Sequence, residues 1–414
     1  MAKADVRPRT HTDADARIEA HNTFPFTLRS DSIPTLSYVA HNLACSFATL
    51  LGSIGALVLT ASVFVPLGVV GSLRAAGKAV HAARATTAAT QEGSKVVIIT
   101  GASAGIGEAI AETLVHDFLR EAFTSARSRS AARTTAEGDH KTAPTLTLIL
   151  TGRNEDRLED TARRLREMAA VRAETEAVLK VECRALDQGD LQVNDLAKAL
   201  VRDTLAEHGR IDLLIANAGI SGHYAENAPG LTPHSSQPPT KWGLDAATQL
   251  TQTNVVGTLA LVLSVWEAMR DQPVRAGKQG QIVVTGSSAA FFGPPSFAVY
   301  SASKSYLYHF VQDLRQISFA YNIAVSLVSP GFILTSQTRS MRGTGGWYPL
   351  SQMGSVDDMA RAAVDGAVHE NRGVTFWPLG HNLPLYGCRG LNPLCEELGR
   401  WVATRVNAVS NLIS

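Results

Sequence analysis

The sequence predicts an α/β protein built on a doubly wound parallel sheet. Two observations carry that prediction. From residue 95 onward, short β-branched runs alternate with helical stretches, the pattern of parallel strands covered by helices on both faces. The first run, Lys95-Val96-Val97-Ile98-Ile99, turns through Thr100-Gly101-Ala102-Ser103-Ala104-Gly105-Ile106-Gly107 into Glu108-Ala109-Ile110-Ala111-Glu112-Thr113-Leu114, which is helical in pattern.

Composition narrows the function classes. At 414 residues the chain can bury one large core and still carry extra segments. A net charge of +1 points to no nucleic-acid or polyanion partner. Cys45, Cys183, Cys388 and Cys395 have neither metal nor redox-pair spacing, and the histidines form no close pair. Reduced thiols and no metal are expected.

Residues 1–31 are polar and mixed in charge, and are expected to be a disordered tail. Residues 32–73 contain no Asp, Glu, Lys or Arg, and their centre, 43–70, is apolar. A bilayer core is about 30 Å thick and needs about 20 helical residues, so this stretch is expected to anchor the protein in a membrane. A tilted span fits, as does a re-entrant hairpin bent at Gly52, Gly55 or Pro66. The polar residues that precede it exclude a cleaved signal peptide. Arg74, Lys78 and Arg84 follow it with no acidic residue before Glu92, which places the C-terminal side in the cytosol. An endoplasmic-reticulum or lipid-droplet membrane is expected. Residues 74–92 read as a linker.

The domain that follows, 93–380, has predicted strands at 95–100, 145–151, 179–185, 211–216, 281–286, 323–328 and 373–377. The glycine turn after the first strand has the spacing of a phosphate cradle: its glycines allow close backbone approach, and the helix N-terminus favours an anion. Two segments interrupt the alternation, 122–144 and the proline-containing 222–242, and both read as surface loops. A helix is predicted over 298–316. On it, Tyr300 and Lys304 stand four residues apart on one face, with Ser287 thirteen residues before Tyr300. An ammonium beside a phenol favours phenolate and lowers its pKa, which suits acid–base chemistry near neutral pH.

With these motifs in this order, the chain resembles the short-chain dehydrogenase/reductase family over roughly 93–380. The glycine loop has the G-x-x-x-G-x-G spacing. Asn217-Ala218-Gly219 ends the fourth strand, Asn254 lies in Thr253-Asn254-Val255-Val256-Gly257, Ser287 follows the fifth strand, Tyr300 and Lys304 come next, and Pro330-Gly331 ends the sixth. The resemblance implies a Rossmann-type sheet and hydride transfer between a nicotinamide and a carbonyl or carbinol carbon. It implies that Tyr300 exchanges a proton with the substrate oxygen, that Ser287 orients that oxygen, and that Lys304 binds the nicotinamide ribose and depresses the tyrosine pKa. Asn254 would hold a water in a proton relay. Gly101, Ser103, Gly105, Ile106, Gly107, Asn217, Ala218 and Gly219 would line the cofactor. Asp187 would contact adenine, and Ile333 and Thr335, after Pro330 and Gly331, would hold the nicotinamide carboxamide.

Arg153, just past the second strand, stands where an acidic residue would bind a ribose diol. Its guanidinium offers a donor fork to a 2′-phosphate, so NADP(H) is expected. Met341, Trp347, Tyr348, Pro349, Leu350 and Met353 lie beside Gly343, Gly345 and Gly346, the composition of a hinged lid over a lipophilic substrate of lipid, steroid, retinoid or sphingoid type. In the C-terminal extension, 381–414, Leu394, Leu398, Trp401, Val402, Val406, Val409 and Leu412 recur at helical spacing. This amphipathic helix packs on its own domain, on a membrane surface, or on a second subunit in a homodimer. Two other functions fit the sequence: a soluble polyol or sugar reductase, and a membrane-tethered nucleotide-binding scaffold without catalysis.

Overall fold

The computed structural model describes residues 94–132, 143–170, 177–221, 244–275, 278–291, 293, 297–336, 338 and 353–388, with single positions between 44 and 62. Seven parallel strands form one sheet in the order β3-β2-β1-β4-β5-β6-β7. They are β1 (Ser94–Thr100), β2 (Thr145–Gly152), β3 (Val178–Ala185), β4 (Leu213–Ala216), β5 (Gly280–Thr285), β6 (Ile323–Pro330) and β7 (Val374–Trp377). Each overlaps the run expected from sequence. β4 begins two residues late because side chains take the place of backbone partners there: the Asp212 carboxylate accepts from the Val96 amide at 2.9 Å, and the Ile211 amide donates to the Gln272 side chain at 3.1 Å.

The helices are α1 (Gly105–Ala132), α2 (Glu155–Ala170), α3 (Val193–His208), α4 (Leu244–Thr251), α5 (Gly257–Asp271), α6 (Ala298–Phe319), α7 (Val356–Ala363) and α8 (Leu379–Cys388). A π-helical turn, Gln252–Val256, joins α4 to α5. Strand side chains alternate between faces. Val97 and Ile99 join a core beneath α1, α2 and α7, while Val96 and Ile98 join a second core beneath α3, α5 and α6. This two-layer cover is why the strands read as unbroken apolar runs.

The helix after the glycine turn runs further than the sequence indicated. Residues 122–132, expected in a surface loop, continue α1 to Ala132. Alanine and arginine are good helix formers, and extending an existing helix costs far less than nucleating one. Residues 133–142 of the first expected loop, the second expected loop at 222–242, the expected lid except Met353, and the C-terminal amphipathic pattern lie outside the described residues. So does most of the expected anchor. Among the described residues no helix is long and apolar enough to cross a membrane.

Strand order reverses between β1, which is followed in sequence by β2, and β4. Ligands of such sheets bind outside the carboxyl ends of the strands at that point. The expected site residues emerge from that edge: the glycine loop after β1, Arg153 after β2, Asn217 after β4, Ser287 after β5 and Gly331 after β6.

Candidate active site

The glycine loop is tight because nothing larger fits. Gly101 has φ +63°, and a Cβ there would lie 2.9 Å from Ala218 Cα; one on Gly107 would lie 2.3 Å from the Gly101 carbonyl oxygen. The chain therefore turns flat against the Asn217-Ala218-Gly219 segment. Thr100 fastens the two: its hydroxyl accepts from the Asn217 amide at 3.0 Å and the Ala218 amide at 2.9 Å. The Asn217 side chain donates to Thr100 O at 3.3 Å and accepts from Thr285 Oγ1 at 3.3 Å, tying the ends of β1, β4 and β5 together. Ala102 N donates to Thr151 O at 3.2 Å, and Ser103 lies against Gly152. Ile106 packs on the core, and Gly105 faces Thr335 across the loop. The end of α1 thus offers a backbone cradle with no side chain in its way, which fits a pyrophosphate. Arg153 is exposed, with no side-chain partner among the described residues, and is available to a phosphate. Asp187 accepts from the Gly189 amide at 2.8 Å, which shapes the turn after β3.

Ser287 follows β5 in extended conformation and caps a short 3-10 turn, accepting from Ala289 N at 3.2 Å. Tyr300 lies in the first turn of α6, with Lys304 one turn on. Lys304 is 4% exposed; its Nζ donates to Thr285 O at 2.9 Å and lies 5.8 Å from the Tyr300 ring centroid. Burial pushes the Lys304 pKa down to about 8. Burial also raises the Tyr300 pKa, against a smaller downward pull from its hydrogen bond with Ser287. This corrects the expectation that Lys304 would depress the phenol. Desolvation of the charged form outweighs attraction when the cation is itself destabilised and its ammonium is directed at a carbonyl.

Asn254 lies in the π-helical turn and is 0% exposed. Its Oδ1 accepts from Ile220 N at 2.8 Å; its Nδ2 donates to Ile220 O at 2.8 Å and to Ser303 Oγ at 3.2 Å. Ser303 in turn donates to Tyr300 O at 2.7 Å. Asn254 is therefore a brace between the loop after β4 and the first turn of α6, which is the backbone-bridging use of such a residue. Thr100 and Ser303 were not singled out from sequence. Their signal was a hydroxyl where an apolar strand ends and one on the inward face of a helix.

The Pro330–Thr335 segment closes the site on the β6 side. Ile333 is buried and bridges to Gly354, and the Thr335 hydroxyl lies 3.3 Å from that of Thr338. Between this segment and the N-terminus of α1 is a cavity of about 370 Å³, lined in part by Gly105, Thr335 and Arg157. Two groups elsewhere bring histidine and carboxylates together, Asp117 with Asp365 and His369, and Glu182 with Glu207 and His208. Arginines occupy both: Arg361 pairs with Asp117 at 2.8 Å, and Arg184 with Glu182 at 2.9 Å and Glu207 at 2.6 Å. They are ion-pair networks.

Fold and site together define a dinucleotide-binding α/β oxidoreductase. The short chain dehydrogenase family model matches residues 142–344. The chain is 30% identical over 258 residues to the dehydrogenase/reductase SDR family protein 7-like protein of Anopheles gambiae, a match covering 61% of this chain and 64% of that one. It is 28% identical over 297 residues to 11-beta-hydroxysteroid dehydrogenase 1A of Arabidopsis thaliana, covering 68% of each. A short-chain type dehydrogenase/reductase from Mycobacterium marinum has the same fold, with TM-score 0.51 at 20% identity over 71% of this chain and 98% of that one. Over these residues the chain is similar to the short-chain dehydrogenase/reductase family.

Proposed function

We propose that the protein is an NADP(H)-dependent oxidoreductase that interconverts a ketone and a secondary alcohol on a lipophilic substrate, held on a membrane with its catalytic domain in the cytosol. The observation that carries this reading is the convergence of Ser287, Tyr300 and Lys304 at the sheet edge that also bears the glycine cradle.

The cofactor fits the residues present. The cradle of Gly101, Gly105 and Gly107 takes the pyrophosphate, Arg153 takes the 2′-phosphate, Asp187 takes adenine, and Ile333 with Thr335 takes the carboxamide. When bound, NADP(H) supplies or accepts the hydride. Tyr300 holds its proton through neutral pH because burial raises its pKa, so in reduction it donates that proton to the substrate oxygen. In oxidation it takes the proton back. Ser287 hydrogen-bonds the same oxygen and fixes its position. Lys304, with a pKa near 8, carries positive charge at pH 7 and binds the ribose. Asn254 and Ser303 hold the backbone of Tyr300 in register with the loop after β4.

Two observations support the lipophilic and membrane parts. One relative carries the name of a hydroxysteroid dehydrogenase. The described positions between 44 and 62 are helical, and Phe47, Leu50, Leu51, Ile54 and Val58 on them are all exposed, an apolar surface that a bilayer would cover.

The test is turnover by the purified full-length protein in detergent, with NADPH or NADH and a panel of ketones. The reading expects NADPH consumption and a secondary alcohol from a steroid, retinoid or sphingoid ketone. Turnover confined to sugar ketones, or no NADPH-dependent product, would overturn it.

A further inference from the structure

The Pro330–Thr335 segment, the proposed carboxamide grip, is held by a helix beyond the residues that the family model matches. The amides of Gly331, Phe332, Leu334 and Thr335 are all hydrogen-bonded within the protein. Gly331 N donates to Trp377 O at 2.9 Å, Leu334 N to Gly354 O at 2.9 Å and Thr335 N to Ile333 O at 2.9 Å. Phe332 N donates to His381 Nδ1 at 3.3 Å. The amide of Ile333 has no such partner among the described residues.

Two side chains are among these acceptors: Thr338 Oγ1, which also accepts from the Thr335 amide at 2.8 Å from within the same loop, and His381, which reaches in from α8. His381 is aimed by its neighbour: Asn382, 0% exposed, accepts from Ser329 Oγ at 2.9 Å and donates to Pro378 O at 3.1 Å. That pair locks the first turn of α8 to the end of β6. The imidazole then reaches over Gly331, where a Cβ would lie 2.6 Å from His381 Cβ and 2.7 Å from its Nδ1. Gly331 is thus a close-approach glycine, needed so that the ring can come down on the next amide. The geometry requires the tautomer with the proton on Nε2, since Nδ1 is the acceptor.

From this we infer that His381 is a positioning residue: by accepting the Phe332 amide through Nδ1, it orients the adjoining Ile333 N–H and Thr335 for the nicotinamide end of the cofactor. The inference rests on the NADP(H) reading above and assigns the control of one half of that site to α8. It makes His381 matter for the nicotinamide half only, since the adenosine half is held by the glycine loop and Arg153.

The experiment compares the full-length wild type with H381L, H381N and G331A. Binding of NADPH is measured beside binding of 2′,5′-ADP, which carries the adenosine half alone. Leucine removes the acceptor; asparagine restores one, because its Oδ1 occupies nearly the place of Nδ1; the alanine methyl forces the ring away. Expected is about a five-fold or larger loss of NADPH affinity in H381L and G331A, the cost of one buried hydrogen bond. H381N should remain within about two-fold of wild type, and 2′,5′-ADP affinity should be unchanged in all three. Equal losses for both ligands in H381L and G331A, or an H381N as weak as H381L, would assign His381 a general structural role and overturn the inference. So would NADPH affinity unchanged in H381L. Wild type that binds neither ligand would overturn the NADP(H) reading itself, and the inference with it.

Discussion

The ammonium of Lys304 lies 2.9 Å from the carbonyl oxygen of Thr285, the last residue of β5. Among the described residues this nearly fully buried amine has a neutral acceptor and no carboxylate partner, and burial lowers its pKa to about 8. The folded state therefore resists the proton that the unfolded chain accepts.

This makes Lys304 a stability liability with a definite sign. Between about pH 8 and the ordinary lysine value of 10.5, the unfolded chain binds more protons than the folded one, so stability rises with pH in that window. Below it the full cost is present, on the order of 3 kcal/mol from the shift. Lys304→Met removes that cost and forfeits one hydrogen bond of about 1 kcal/mol. Expected is a higher Tm at pH 7 together with lost turnover, and a smaller gain at pH 10. A variant less stable than wild type at pH 7 would contradict the account of this amine.

Arg153→Glu should reverse cofactor choice. Arg153 is exposed and has no side-chain partner among the described residues, so the substitution breaks nothing structural. It sets a carboxylate against the 2′-phosphate and offers an acceptor to a ribose diol. Expected is at least about a hundred-fold shift in the ratio of kcat/KM with NADPH to that with NADH, as a change of roughly 3 kcal/mol requires. Steady-state kinetics with both cofactors checks it, and an unchanged ratio would refute the charge argument.

Asn254→Ala should unfold the site before it impairs chemistry. The change leaves the Ile220 N–H and C=O without their amide partner, costing about 2–4 kcal/mol in buried polar groups. Denaturant titration should show a lower midpoint, and residual turnover should keep the wild-type KM for NADPH within about three-fold. Full stability with lost turnover would instead point to a relay role for the side chain.

Much of this was legible in the sequence, for physical reasons. Strands buried on both faces leave continuous apolar runs, and a phosphate cradle needs glycine where a Cβ would strike backbone, as at Gly107. What could not be read was long-range. Nothing in the sequence near Phe332 says that His381 will reach its amide. Nothing near Asn254 says that Ile220 will take both ends of its side chain. The direction of the Tyr300 shift was missed because spacing reports a neighbour's charge, whereas burial sets what that charge is worth. The end of α1 was missed because Ser, Arg and Ala read as a loop when the helix behind them is ignored.

The membrane anchor is tested by fractionation. Full-length protein should remain with membranes through alkaline carbonate, and the catalytic domain should be digested by protease added to intact vesicles. Removal of residues 1–92 should release a folded domain, because β1 begins at Ser94 and the sheet closes without the preceding residues. Full-length protein in the soluble fraction would end the anchor reading. A protected domain would reverse its orientation.

Tyr300→Phe tests the central claim most directly. The substitution removes one oxygen from the first turn of α6, while Lys304 and the glycine loop keep their contacts. Single-turnover reduction measured beside NADPH fluorescence should show cofactor affinity within about two-fold of wild type and kcat lower by roughly a thousand-fold or more, the scale of lost acid catalysis. A variant that binds NADPH normally and retains a tenth of wild-type kcat, on the order of 1.4 kcal/mol of barrier, would show that the proton comes from elsewhere.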